Sequence, residues 1–200
     1  MNLQKTILCG MKAAVDRHWR YVQGYHRIEP EYLFTISVAD TVAGGFNRFK
    51  QLDVEIHLEK RTRELVRDLG FQALGHRRYL AARGLWSGRR GKVDICLHCG
   101  DQYHLIELKK FDPTDQEVRK EVQRLSALLL INHGRNALVS AHIAFPALTD
   151  RGLWCGRTAA ATIGKAKIRR SMVHRYEETG EDPMDGIPAY HLHVLSLAKQ

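Results

Sequence analysis

The stretch RRGKVDICLHCGDQYHLIELKK, Arg89 to Lys110, decides the fold of this chain. Two apolar runs, VDICL and HLIEL, flank the pair Gly100-Asp101. Glycine at the first position of a two-residue turn suits a type II′ β-hairpin, so both runs are predicted strands. With that turn Cys99 faces Gln102, and the same register sets Asp94 opposite Glu107. Side chains alternate along a strand, which puts Asp94, Glu107 and Lys109 on one face. Val93, Ile95, Leu97, Ile106 and Leu108 fall on the other, where they form a core.

Charges inside a covered sheet are costly unless they are paired or bind an ion. Like charges opposed across an antiparallel pair destabilise it, and two close carboxylates share a proton or hold a cation. A hard ion such as Mg²⁺ takes oxygen ligands and keeps several waters, so two carboxylates are a sufficient protein contribution. An ammonium beside them can orient a water and stabilise charge growing on a phosphate. The plain alternative is a surface salt bridge between Lys109 and Glu107.

Working outward, residues 3–23 read as an amphipathic helix with Leu3, Ile7 and Met11 at four-residue spacing. IEPEYLFTISVADTVAGG alternates in part like a strand, but Pro30 suits a first helical position and Gly44-Gly45 a stop, which favours helix. LDVEIHLEK (52–60) alternates as a strand, and RTRELVRDLG (61–70) follows as a short helix. FDPTDQEVRKEVQRLSALLLINHG has a capping box at Thr114 and Glu117, one apolar stripe (Val118, Val122, Leu125, Leu129) and a stop at Gly134. ALVSAHIAFP (137–146) is a further strand. The tail offers a basic helix near 163–176, an acidic loop EETGEDPMDG and a last strand AYHLHVLSL. The expectation is one domain over 1–200, with a core about 29–146 in the order helix, strand, strand, strand, helix, strand.

GRRGKVD, twelve residues, then IELKK resembles the signature of the PD-(D/E)xK nuclease superfamily, whose restriction-endonuclease-like fold has a mixed sheet and an αβββαβ core flanked by helices. The resemblance rests on motif, hairpin parity and element order over more than half the chain. Val93 stands where the nominal proline would be. It implies a Mg²⁺- or Mn²⁺-dependent nuclease hydrolysing phosphodiester bonds, with DNA the expected substrate, in defence, repair or on a mobile element. Asp94 and Glu107 would hold the metal, with the Leu108 carbonyl a possible third ligand, and Lys109 would position the attacking water or neutralise the transition state. One more acid from the first helix, Glu31 ahead of Glu29 or Glu55, would bind a second ion or order the metal's waters. Double-strand cleavage would then need a homodimer or a partner chain. The alternative is a nucleic-acid-binding protein that keeps the fold and cleaves nothing.

Charge supports a polyanionic partner: 31 Lys and Arg against 22 Asp and Glu give a formal +9. HRRYLAARGLWSGRRGK carries Arg77, Arg78, Arg83, Arg89, Arg90 and Lys92, with Tyr79 and Trp86 interleaved and no acid, and leads directly into Asp94. Arginines on phosphates and an aromatic on a base suit a nucleic-acid groove. A second basic run, GKAKIRRSMVHR (164–175), could touch a backbone from the outer face of a helix. No apolar run approaches the roughly 20 residues of a membrane span, and the first twenty residues do not read as a signal peptide. Cys9, Cys96, Cys99 and Cys155 lack regular spacing and read as reduced thiols of a cytoplasm. CLHC would set Cys96 and Cys99 on opposite faces, which argues against zinc there. His191 and His193 share a strand face and read as a structural pair, while Gln123 could lean toward the acids.

Overall fold

The computed structural model describes residues 2–22, 31–48, 54–69, 91–130, 137–163, 168–178 and 189–199. The described elements are α1 (Leu3–Val22), α2 (Glu31–Arg48), β1 (Val54–Arg61), α3 (Thr62–Asp68), β2 (Lys92–Cys99), β3 (Gln102–Leu108), α4 (Asp115–Leu130), β4 (Ala137–Ala147), α5 (Gly152–Ile163), β5 (Ile168–Glu178) and β6 (Ala189–Lys199). The six strands form one sheet in the order β1-β2-β3-β4-β6-β5. Every neighbouring pair is antiparallel except β3 and β4. A parallel pair needs a crossover, and α4 supplies it.

The hairpin register is the expected one, from Cys99↔Gln102 to Ile95↔Ile106, with Gly100 at φ 60. Its parity separates two cores. Ile95, Leu97, Ile106 and Leu108 pack under α1 and α2. Cys96, Tyr103 and Leu105 pack under α3, α4 and α5. Cys96 and Cys99 accordingly lie against different cores. Val93 departs from the expected face and joins the α3–α4 side. The cause is local: the β1–β2 ladder passes from Leu58↔Ile95 to Lys60↔Val93, leaving Glu59, at φ 50, and Asp94 unpaired.

α1 and α2 approach closely because position 10 is glycine. A Cβ there would lie 2.6 Å from the Val38 Cα, too near for any other residue. The α4 capping box forms as its sequence implies: the Thr114 N–H donates to Glu117 Oε2 at 2.7 Å, and the Glu117 N–H donates to Thr114 Oγ1 at 3.3 Å.

Where it is described, from residue 168 on, the basic run expected as a helix near 163–176 is a strand instead. Residues 168–178 are an edge strand paired along its whole length with β6. Ile168 and Met172, four apart, suit a helical stripe and a strand face equally, and pairing to β6 decides between them. The helix of this region, α5, lies just before, with Cys155, Thr158 and Ala159 buried. Among the described residues no helix is long and apolar enough to cross a membrane.

Candidate functional site

The two acids of the hairpin meet where its ladder ends. Beyond Ile95↔Ile106 the strands no longer pair, and the Leu108 N–H donates to Asp94 Oδ2 at 2.7 Å. Burial and then the Glu107 charge raise the Asp94 pKa from 3.8 to about 7, against the Leu108 N–H and Lys109, with Glu31 adding repulsion. A carboxyl group so perturbed, beside a non-glycine residue in the left-handed region, marks a functional-site candidate.

Glu107 is 5% exposed. Its Oε1 accepts from Lys109 Nζ at 2.9 Å, and its Oε2 lies 2.5 Å from Arg124 Nη2, off hydrogen-bond geometry. Glu121 completes a quartet, 3.1 Å from Lys109 Nζ and 2.6 Å from Arg124 Nε. Burial raises the Glu107 pKa, and with the Glu121 charge it prevails over Arg124 and Lys109. Burial also opposes the Lys109 ammonium, but Glu107 and Glu121 outweigh it and raise its pKa. The Lys109–Glu107 salt bridge is therefore present, but beneath α4 and not on an open face. Arg124 further donates through Nη1 to the Lys92 carbonyl at 2.6 Å, tying α4 to the start of β2.

Glu31 arrives from the first turn of α2, its Oε1 accepting from the Lys110 N–H at 3.0 Å. Glu55 does not belong here. It pairs across to His98, four residues along β2 from Asp94, or roughly 13 Å at strand rise, and lies 3.1 Å from His57. Leu108 touches the site through its N–H. Lys92 is exposed and paired with Glu59. Arg77, Arg78, Arg83, Arg89, Arg90 and Glu29 lie outside the described residues.

Glu121 and Arg124 escaped the sequence reading although a signal existed. At about 100° per residue they share one flank of the α4 stripe, whereas Gln123 falls on the opposite flank and is exposed. Among the described residues, Asp94, Glu107, Glu121 and Glu31 gather around Lys109 and Arg124, four acids to two bases. That excess of acids beside Asp94 fits one divalent cation on oxygen ligands.

A second polar group sits under α1. Ser140 Oγ lies 2.8 Å from both His104 Nδ1 and His142 Nε2, and His142 Nδ1 lies 2.6 Å from Ser196 Oγ. Burial drives the His142 pKa down to about 3, so its ring is neutral. The group lines a pocket of about 460 Å³ whose described lining residues include no carboxylate.

No family model, no curated protein and no solved structure matches this chain.

Proposed function

We propose that the chain is a divalent-cation-dependent phosphodiesterase acting on nucleic acid. More narrowly, it is a nuclease of the PD-(D/E)xK type, with DNA the first substrate to test. One observation carries the reading: Asp94, Glu107 and Lys109 converge where the β2–β3 ladder ends, with more acids than bases there among the described residues. Support also comes from topology, since α2, the β1-β2-β3 meander, α4 and a β4 parallel to β3 follow the element order of that superfamily.

Asp94 and Glu107 would hold the ion, with Glu31 beside them. When bound, the ion supplies positive charge against the phosphate and activates a water for attack. Lys109, held between Glu107 and Glu121, is placed to neutralise charge developing on the phosphate. Arg124, on α4, contacts both Glu107 of β3 and Glu121 and acts as a positioning residue. The formal +9 would draw the polyanion toward the site.

A second reading rests on the quartet itself. Glu107, Glu121, Lys109 and Arg124 neutralise one another, as in a structural ion-pair network of a protein that binds nucleic acid without cleaving it. Incubation with supercoiled, linear, branched and single-stranded substrates, in Mg²⁺ or in EDTA, separates the two. Mg²⁺-dependent cleavage lost in Lys109→Ala supports the nuclease. Binding without cleavage on every substrate supports the second reading.

A further inference from the structure

Away from the carboxylate site, the β5–β6 hairpin brings three histidines beside the entry to α5. His174 and His193 are cross-strand partners, their rings stacked 5.0 Å apart, and His191 stacks on His174 at 4.9 Å. Asp150 is fixed on this group by accepting the Gly152 N–H at 2.8 Å through Oδ1, an Asx turn leading into α5. His193 is fully buried and stacked on Phe145 at 5.1 Å.

Two features of this cluster conflict unless something positive sits among them. His193 Nε2 accepts the Arg151 N–H at 3.0 Å, and the same nitrogen lies 3.3 Å from Asp150 Oδ1. One ring nitrogen cannot both accept from an amide and donate to a carboxylate, so in the accepting state two electron-rich atoms face each other. His174 Nδ1 also faces the carboxylate, 3.9 Å from Asp150 Oδ2, beyond hydrogen-bond reach. The other His174 nitrogen is engaged, with Nε2 2.6 Å from His191 Nδ1.

We propose that Asp150, His174 and His193 form a binding site for a borderline divalent transition metal, Zn²⁺ before others. One ligand atom from each lies within 4.8 Å of the other two. Zinc bonds of about 2.0–2.1 Å in a tetrahedron separate ligand atoms by about 3.4 Å; His193 Nε2 lies 3.3 Å from Asp150 Oδ1 and His174 Nδ1 lies 3.9 Å from Asp150 Oδ2, so a carboxylate oxygen stands near that spacing from each histidine. Imidazole nitrogen selects zinc and its neighbours over Mg²⁺, so this site and the oxygen site of the hairpin would sort ions by chemistry. His191 serves as the outer acceptor that orients His174, in the place a carboxylate, carbonyl or water takes at most metal-bound imidazoles. The Arg151 N–H would give up its place on His193 to the ion. Bound metal would tie the α5 entry to the edge hairpin and leave a fourth position for a small ligand. None of this depends on nuclease activity.

The test uses the full chain without a histidine tag, dialysed against buffered micromolar Zn²⁺ and assayed for bound metal by mass spectrometry. One Zn²⁺ per chain is expected in the wild type and in Asp94→Asn. His174→Ala and Asp150→Asn, the latter keeping an acceptor for the Gly152 N–H, should bind at least about 100-fold more weakly, and His191→Gln about 10-fold more weakly. Co²⁺ in place of Zn²⁺ should give the visible absorption of a four-coordinate site, lost in His174→Ala. Circular dichroism of each variant establishes that it is folded; His193, fully buried, is left unchanged. No zinc on the wild type, zinc unaffected by His174→Ala, or zinc lost in Asp94→Asn each overturns the proposal.

Discussion

The Asp94 carboxylate takes the Leu108 backbone N–H at 2.7 Å, just past the last paired residues of the hairpin. A side chain has replaced a strand partner, and the acid is held in a half-buried notch facing Glu107.

That placement makes Asp94 a pH-dependent liability. A carboxyl group whose folded pKa, about 7, exceeds its ordinary 3.8 stabilises the fold only while protonated. The contribution is whole below 3.8 and is lost as pH rises through 7. Asp94→Asn keeps an acceptor for Leu108 and carries no charge. It should therefore gain stability on the wild type as pH rises from 4 to 8, by on the order of 1–4 kcal/mol, given about 1.4 kcal/mol per unit. Denaturant midpoints at three pH values check this, and parallel curves for the two proteins would refute it.

Arg124 guards Glu107. Removing it as Arg124→Met leaves a buried carboxylate with Lys109 alone, which should cost about 3 kcal/mol. Adding Glu107→Gln removes the orphaned charge and should recover about half of the loss. If the double variant is no more stable than the single one, the quartet is not a coupled unit.

Gly10 is a packing requirement, not a flexible point. Gly10→Ala puts a methyl group against the Val38 backbone and should destabilise by about 1–3 kcal/mol, measured by thermal unfolding. Gly44→Ala, whose added carbon would meet nothing within 4 Å, is the control and should be neutral or better.

Much of the fold is legible in the sequence because hydrophobic period and turn chemistry agree. Gly100-Asp101 sets the register, and the Thr114–Glu117 box sets the start of α4. The departures have physical causes. Glu59 and Asp94 drop out of the ladder through a left-handed backbone that period-two reading does not foresee, and Val93 changes face. β5 reads as a helix because spacing of four serves helix and strand alike, and only pairing with β6 distinguishes them. Of the site, Asp94, Glu107, Lys109 and Glu31 can be placed from sequence, whereas Glu121 and Arg124 require knowing which flank of α4 covers the hairpin. The Asp150–His174–His193 group joins a loop to two strands and has no spacing to reveal it.

Nucleic-acid binding, tested by titrating a short duplex at several salt concentrations, should weaken as the log of salt with a steep slope. Replacing Arg89 and Arg90 by Ala should reduce that slope by roughly 2, one counterion for each phosphate no longer neutralised by an arginine. An unchanged slope removes both arginines from the interface.

A cation shared by Asp94 and Glu107 should show itself as a shift in melting temperature on adding Mn²⁺. Metal stabilises only the state that binds it. The wild type and Lys109→Ala should both gain several degrees, because Lys109 is not a ligand, while Asp94→Asn should gain little or nothing. A wild type that melts at the same temperature with and without Mn²⁺, or an Asp94→Asn that gains as much as the wild type, would contradict the account.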